Sequence, residues 1–144
     1  MPCHCPKPVI LDAKTCLSEA SSSFQEASRG NTTWSTLFSS PQTPTSSMSA
    51  GVATCPSNGS LALHRHQQPE IYYILSGSGI VQVDGVRHQV SKDTVIWIPG
   101  NAEHGVSCGP DNNLVWFYVF PEGSFESVIY RFSNEEGEAF KQSI

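Results

Sequence analysis

The segment His64-Arg65-His66-Gln67-Gln68-Pro69-Glu70, followed after a strand-rich interval by Pro99-Gly100-Asn101-Ala102-Glu103-His104, decides how this chain is read. Side chains at i and i+2 of a strand leave the same face, so His64 and His66 can converge on one ion, whereas a helix would point them apart. Pro69 interrupts that strand and lets a loop fold Glu70 back toward the two imidazoles. With His104 the set becomes His/His/Glu/His, a ligand group that suits one divalent transition metal: Fe, Mn, Ni, Co or Zn. Four protein ligands on a metal that tolerates six leave about two positions open, and an open site is more often catalytic than structural.

The flanking sequence reads as short strands. Trp34 to Phe38, Met48 to Thr54, Leu61 to His66, Ile71 to Leu75, Ile80 to Val83, Val86 to Val90, Thr94 to Ile98 and Leu114 to Phe120 are rich in β-branched and aromatic residues. Turn residues punctuate them, and Asp84-Gly85 between two alternating runs predicts a tight hairpin. This pattern predicts an all-β barrel or double sheet and not a parallel α/β sheet. Upstream, Leu17, Ala20, Phe24 and Ala27 recur at helical spacing, which predicts one amphipathic helix over 16–27, stopped by Gly30. The expected organisation is a tail, helix and linker over 1–45, a barrel over 46–132 and a C-terminal tail over 133–144.

Composition narrows the function classes. At 144 residues with a formal net charge of −5, the chain is one domain and has no basic cluster to follow a phosphate backbone, so nucleic acid is not an expected partner. No apolar run spans a bilayer and the N-terminus lacks a signal-peptide pattern, so the expectation is a soluble cytoplasmic protein with no membrane partner. Cysteines at 3, 5, 16, 55 and 108 do not form a disulfide framework. Cys3-His4-Cys5 lacks a matching second pair and reads as part of a tail.

Period two puts Tyr72 on the strand face of Glu70 and turns Tyr73 away. A cation nearby favours a phenolate, which makes Tyr72 a candidate proton acceptor. On spacing alone the plainer reading is an interior aromatic with a satisfied hydroxyl.

Gly59-x4-His64-x-His66-x3-Glu70-x6-Gly77 and Pro99-Gly100-x3-His104 resemble the two sequence motifs of the cupin superfamily. The first glycine stands one residue closer to the histidines than is usual there. The resemblance implies a double-stranded β-helix, or jelly-roll barrel, with a metal in its mouth. A narrower resemblance adds Glu70-Ile71-Tyr72, Trp116-Phe117-Tyr118-Val119-Phe120-Pro121 and Phe125-Glu126-Ser127-Val128-Ile129-Tyr130, which are similar to the cupin-type dimethylsulfoniopropionate lyases. It implies His64, His66, Glu70 and His104 as ligands, Tyr72 as the base and Tyr130 as a second tyrosine beside the substrate. The implied partner is a small anionic or zwitterionic carboxylate whose sulfonium attracts aromatic rings, with Trp97, Trp116, Phe117, Tyr118 and Phe120 as candidates. His88 has no ligand partner at fixed spacing. Two other readings of the same ligands stay open, an Fe(II) dioxygenase or isomerase/cyclase and a non-catalytic ligand-binding barrel. By analogy with cupins a homodimer is expected, with residues 1–38 swapping or packing across.

Overall fold

The structure is a computed structural model that describes residues 5–136. Cys3 and His4 lie outside the described residues, as do positions 137–144. The strands are β1 (Ser22–Ser23), β2 (Thr33–Phe38), β3 (Ser49–Cys55), β4 (Ser60–Arg65), β5 (Glu70–Ser76), β6 (Ser78–Val83), β7 (Val86–Ser91), β8 (Val95–Ile98), β9 (His104–Ser107), β10 (Leu114–Phe120) and β11 (Arg131–Phe132). They form two antiparallel sheets, one in the order β1-β2-β3-β10-β5-β8 and one in the order β11-β4-β9-β6-β7. The expected jelly-roll is therefore present.

Alternation sets the core. Along β10, Leu114, Trp116, Tyr118 and Phe120 are buried while Val115, Phe117 and Val119 are not, and β5 likewise buries Glu70, Tyr72 and Ile74. The two strands pair so that Tyr118 stands opposite Tyr72 and Trp116 opposite Ile74, which fixes both inward rows against one another. Asp84 and Gly85, at φ 46° and 82°, make the two-residue hairpin between Val83 and Val86. Cys16, Cys55 and Cys108 are thiols, and burial pushes Cys55 up to about 12, which keeps it protonated and inert. No helix among the described residues is long and apolar enough to cross a membrane.

The N-terminal helix is shorter and earlier than its spacing predicts. It spans Ala13–Leu17 (α1), opened by Asp12, whose side chain accepts from the Lys14 amide. Ser22–Ser23 pairs with β2 instead, and Ala27–Arg29 is a single 3-10 turn ended by Gly30 at φ 96°. Serines compete for the backbone and disfavour helix in the Ser21-Ser22-Ser23 run. Phe24 is held by aromatic packing, 4.7 Å from Trp34, 5.2 Å from Phe132 and 5.7 Å from Tyr130 between ring centres. A second difference is β9, which Gly105 and the absence of alternation hid, and which lies between β4 and β6.

Gly51 sits on the inner row of β3, opposite Tyr118 and Thr36. A Cβ there would overlap the Tyr118 hydroxyl and stand 2.5 Å from the Ser35 carbonyl, backbone of the neighbouring strand. Gly51→Ala is expected to lower stability by about 1–3 kcal/mol, seen as a lower urea midpoint at unchanged slope.

Candidate metal centre and the cavity beside it

His64 lies near the end of β4 and His104 opens β9 directly opposite it. His66 follows β4, in a turn whose His66 carbonyl accepts from the Asn101 amide at 2.8 Å. Glu70 opens β5 across from Ile98. All four side chains are buried, between 0% and 3% exposed. One ring nitrogen from each of His64, His66 and His104 lies within 4.8 Å of the other two. Glu70 Oε2 stands 3.1 Å from His66 Nε2 and 3.3 Å from His104 Nε2.

Each imidazole is held in one tautomer. Nδ1 of His64, His66 and His104 donates to the carbonyl of Ala62, Gln68 and Ala102 at 2.8, 2.9 and 2.9 Å. A carbonyl oxygen only accepts, so Nδ1 carries the hydrogen and Nε2 of the neutral ring is a bare lone pair. His64 Nε2 and His104 Nε2 are fully buried and make no hydrogen bond. Burial, followed by His104 and with His66 adding, holds His64 well below the ordinary histidine range, so protonation does not relieve that site. Converging lone pairs beside a carboxylate are satisfied by a cation, and three imidazoles plus a carboxylate fit a divalent transition metal. His88 is exposed on β7, away from this group.

The two tyrosines named by resemblance flank the cluster. The Tyr130 ring lies 4.8 Å from His64 and 5.3 Å from His66, while the Tyr72 ring lies 6.3 Å from His104 and 5.2 Å from Trp116. Burial pushes both hydroxyls well above the tyrosine range, and the Glu70 charge adds to it. Tyr73 faces outward and donates to Asp93 at 2.8 Å.

Glu70, Tyr72, Tyr118 and Tyr130 line an inner cavity of about 20 Å³, room for roughly one water molecule. Phe24, Trp34, Phe125 and Tyr130 border both this cavity and an outer hollow of about 480 Å³. Of the aromatic candidates, Trp116 and Tyr118 reach the inner cavity, and Phe120 is buried 5.2 Å from the His66 ring. Trp97 and Phe117 face away from it, because they alternate with the inward rows of their strands. Phe24, Trp34 and Phe125 were not expected at the site. Phe24 was masked by its helical spacing, and no periodicity marks Phe125.

Comparison with known proteins agrees with this geometry. The sequence profile of the Cupin domain matches residues 51–120. Dimethylsulfoniopropionate lyase DddW of Ruegeria pomeroyi is 40% identical over 104 residues, 72% of this chain and 68% of that protein. The chain belongs to the cupin family. Among solved structures, the polyketide cyclase RemF of Streptomyces resistomycificus superposes with a TM-score of 0.73 at 20% identity, covering 88% of this chain and 86% of RemF. Dimethylsulfoniopropionate lyase DddQ of Ruegeria pomeroyi gives 0.54 at 20% identity over 61% and 44% of the two chains. At such identities the two structures speak to the fold alone.

Two measurements check this cupin centre. His64→Ala and His104→Ala are expected to weaken divalent-metal binding by at least about 100-fold, while His88→Ala leaves it unchanged, in equilibrium dialysis with elemental analysis. Burial also pushes the Tyr118 hydroxyl up to about 12. An unfolded tyrosine titrates near pH 10, so between about pH 10 and 12 the unfolded chain gives up a proton that the folded chain keeps, and stability falls as pH rises by roughly 2–3 kcal/mol. Urea unfolding at both ends of that window should show this fall, smaller in Tyr118→Phe.

Proposed function

We propose that this cupin is a metal-dependent carbon–sulfur lyase that eliminates dimethyl sulfide from dimethylsulfoniopropionate and leaves acrylate. The observation that carries the reading is the grouping of His64, His66, His104 and Glu70 with the buried Tyr72 and the half-buried Tyr130, whose rings flank the histidines and line the inner cavity with Glu70. The 40% identity to DddW over most of both chains supports the same substrate.

His64, His66, Glu70 and His104 would hold one divalent transition metal. Bound there, the ion supplies a positive charge that stabilises a substrate carboxylate and the phenolate form of a neighbouring tyrosine. Tyr72 takes the proton from the carbon next to the substrate carboxylate. The electron pair of that C–H bond becomes the carbon–carbon double bond, and the carbon–sulfur bond breaks with its pair leaving on sulfur as neutral dimethyl sulfide. Tyr130, beside His64 and His66, orients the carboxylate end. Trp116, Tyr118, Trp34 and Phe125 line the inner cavity and supply aromatic rings for the sulfonium, an attraction worth about 2 kcal/mol or more for a desolvated cation over a ring face. The substrate enters from the outer hollow by displacing the aromatic border at Phe24, Trp34, Phe125 and Tyr130, since the inner cavity is too small for it. A soluble cytoplasmic homodimer belongs to the same proposal.

An elimination consumes no oxygen, which separates this reading from a dioxygenase. Anaerobic incubation of the metal-loaded protein with dimethylsulfoniopropionate should release dimethyl sulfide and acrylate in equal amounts; no release, or release only with oxygen uptake, would overturn it. Tyr72→Phe should keep the metal and lose about 10²–10⁴-fold in kcat, since the ring still fills its place while the proton acceptor is gone. Tyr73→Phe should be near the parent, and Tyr130→Phe should fall between them. A Tyr72→Phe enzyme as active as the parent would remove Tyr72 as the base.

A further inference from the structure

Phe24 and Tyr130 border both the inner cavity and the outer hollow, yet neither lies in a strand. The strands next to them, β1 and β11, are two residues long, too short a ladder to hold these rings by itself. Arg29 packs where the ladders are thin. Its guanidinium carbon lies 4.8 Å from the centre of the Phe132 ring and 5.8 Å from that of Phe24. Phe132 in turn stacks on Tyr130 at 6.1 Å, and Phe24 meets Tyr130 at 5.7 Å. Glu135 takes the donors of the same guanidinium, Nε to Oε1 at 2.7 Å and Nη2 to Oε2 at 3.1 Å, and Glu26 adds a longer contact at 3.5 Å. Arg29 and Glu135 stand 106 positions apart in the chain. Beside them Asn134 Nδ2 donates to the Ser28 carbonyl at 2.9 Å. The segment before β2 and the segment after β11 are thus joined at two adjacent points, next to the rings that separate cavity from hollow.

We infer that the Arg29–Glu135 pair is a clasp that holds the Phe24–Tyr130 border shut over the histidine cluster, and that its release opens the passage from the outer hollow to that cluster. An isolated exposed ion pair contributes little. This one differs in three ways. It is bidentate, which fixes the planar guanidinium in one orientation. It holds that guanidinium over two aromatic rings, so cation–π attraction and the ion pair support each other. Its side chains are still 27% and 39% exposed, so water competes for them and the clasp can open without unfolding either sheet. The inner cavity, about 20 Å³, has room for roughly one water molecule, so anything larger that reaches the histidines must part this border. Passage of the zwitterionic substrate through it rests on the proposed lyase reading. Passage of a metal ion rests only on the histidine cluster. Arg29 touches neither, and its part is to position the rings that do.

Zinc release and amide hydrogen exchange on the full chain test the clasp without reference to lyase turnover. Zinc-loaded Arg29→Gln and Glu135→Gln should each lose the ion to excess EDTA about 10-fold or more faster than the parent. Arg29→Lys should resemble Arg29→Gln, because an ammonium has neither the fork nor the plane. The double variant Arg29→Gln/Glu135→Gln should be no faster than the faster single one, since either substitution opens the same clasp. The zinc Kd should stay at the parent value throughout, because a wider passage speeds entry and exit alike, whereas damage to the ligands would raise it. In mass-spectrometric hydrogen exchange, peptides covering 22–30 and 125–136 should exchange faster in both single variants while β5 and β10 stay protected. Zinc release as slow as in the parent overturns the inference, and so does faster release accompanied by a weaker Kd. A chain that binds no zinc sinks the metal centre instead, and the clasp is then decided by exchange alone, where unchanged rates at both segments overturn it.

Discussion

Everything at the centre of this barrel depends on where three imidazoles put their hydrogens. Backbone carbonyls two residues away from His64, His66 and His104 take the Nδ1 protons, so each ring offers an Nε2 lone pair, and those of His66 and His104 stand beside the carboxylate of Glu70. Without a cation, such a group is costly to bury, because the donors that would pair these acceptors are excluded along with water. The rest of the fold keeps this group in place. The opposition of His64 and His104 across β4 and β9, and of Glu70 and Ile98 across β5 and β8, brings imidazoles from one sheet and a carboxylate from the other together.

The same strands that deliver ligands deliver the chemistry beside them. Period-two alternation makes Tyr72 a neighbour of Glu70 and puts Trp116 and Tyr118 across from it on β10. The price of that arrangement is that three phenols, Tyr72, Tyr118 and Tyr130, lie in an interior that raises their pKa, so under the proposed mechanism Tyr72 would need a positive charge beside it to accept a proton. Tyr130 is stacked at 6.1 Å on Phe132 of β11, which pairs with β4 at His64. The C-terminal segment is thereby tied to the strand that carries His64.

The sequence was most legible where covalent spacing alone carries the geometry. The H-x-H pair, the Glu70 to Tyr72 interval, the Asp84-Gly85 turn and the alternation of β10 each rest on local periods, and each is found in the structure. Less legible was whatever depends on long-range packing. The helical spacing of Leu17, Ala20, Phe24 and Ala27 coincided with a segment in which Phe24 is drawn into a ring cluster with Trp34, Phe132 and Tyr130. Alternation could separate Trp116 from Phe117 but not say which faces inward; pairing with Tyr72 and Ile74 decides it. Tyr130 follows no periodic element, and only resemblance pointed to it. Its position beside His64 comes from the aromatic cluster around it.

X-ray absorption at the edge of the bound metal tests the central claim most directly, because it reads the ligands themselves. The account predicts nitrogen and oxygen scatterers at about 2.0–2.2 Å with the outer-shell pattern of several imidazoles and no sulfur. A spectrum dominated by sulfur at about 2.3 Å, or one without imidazole, would contradict it.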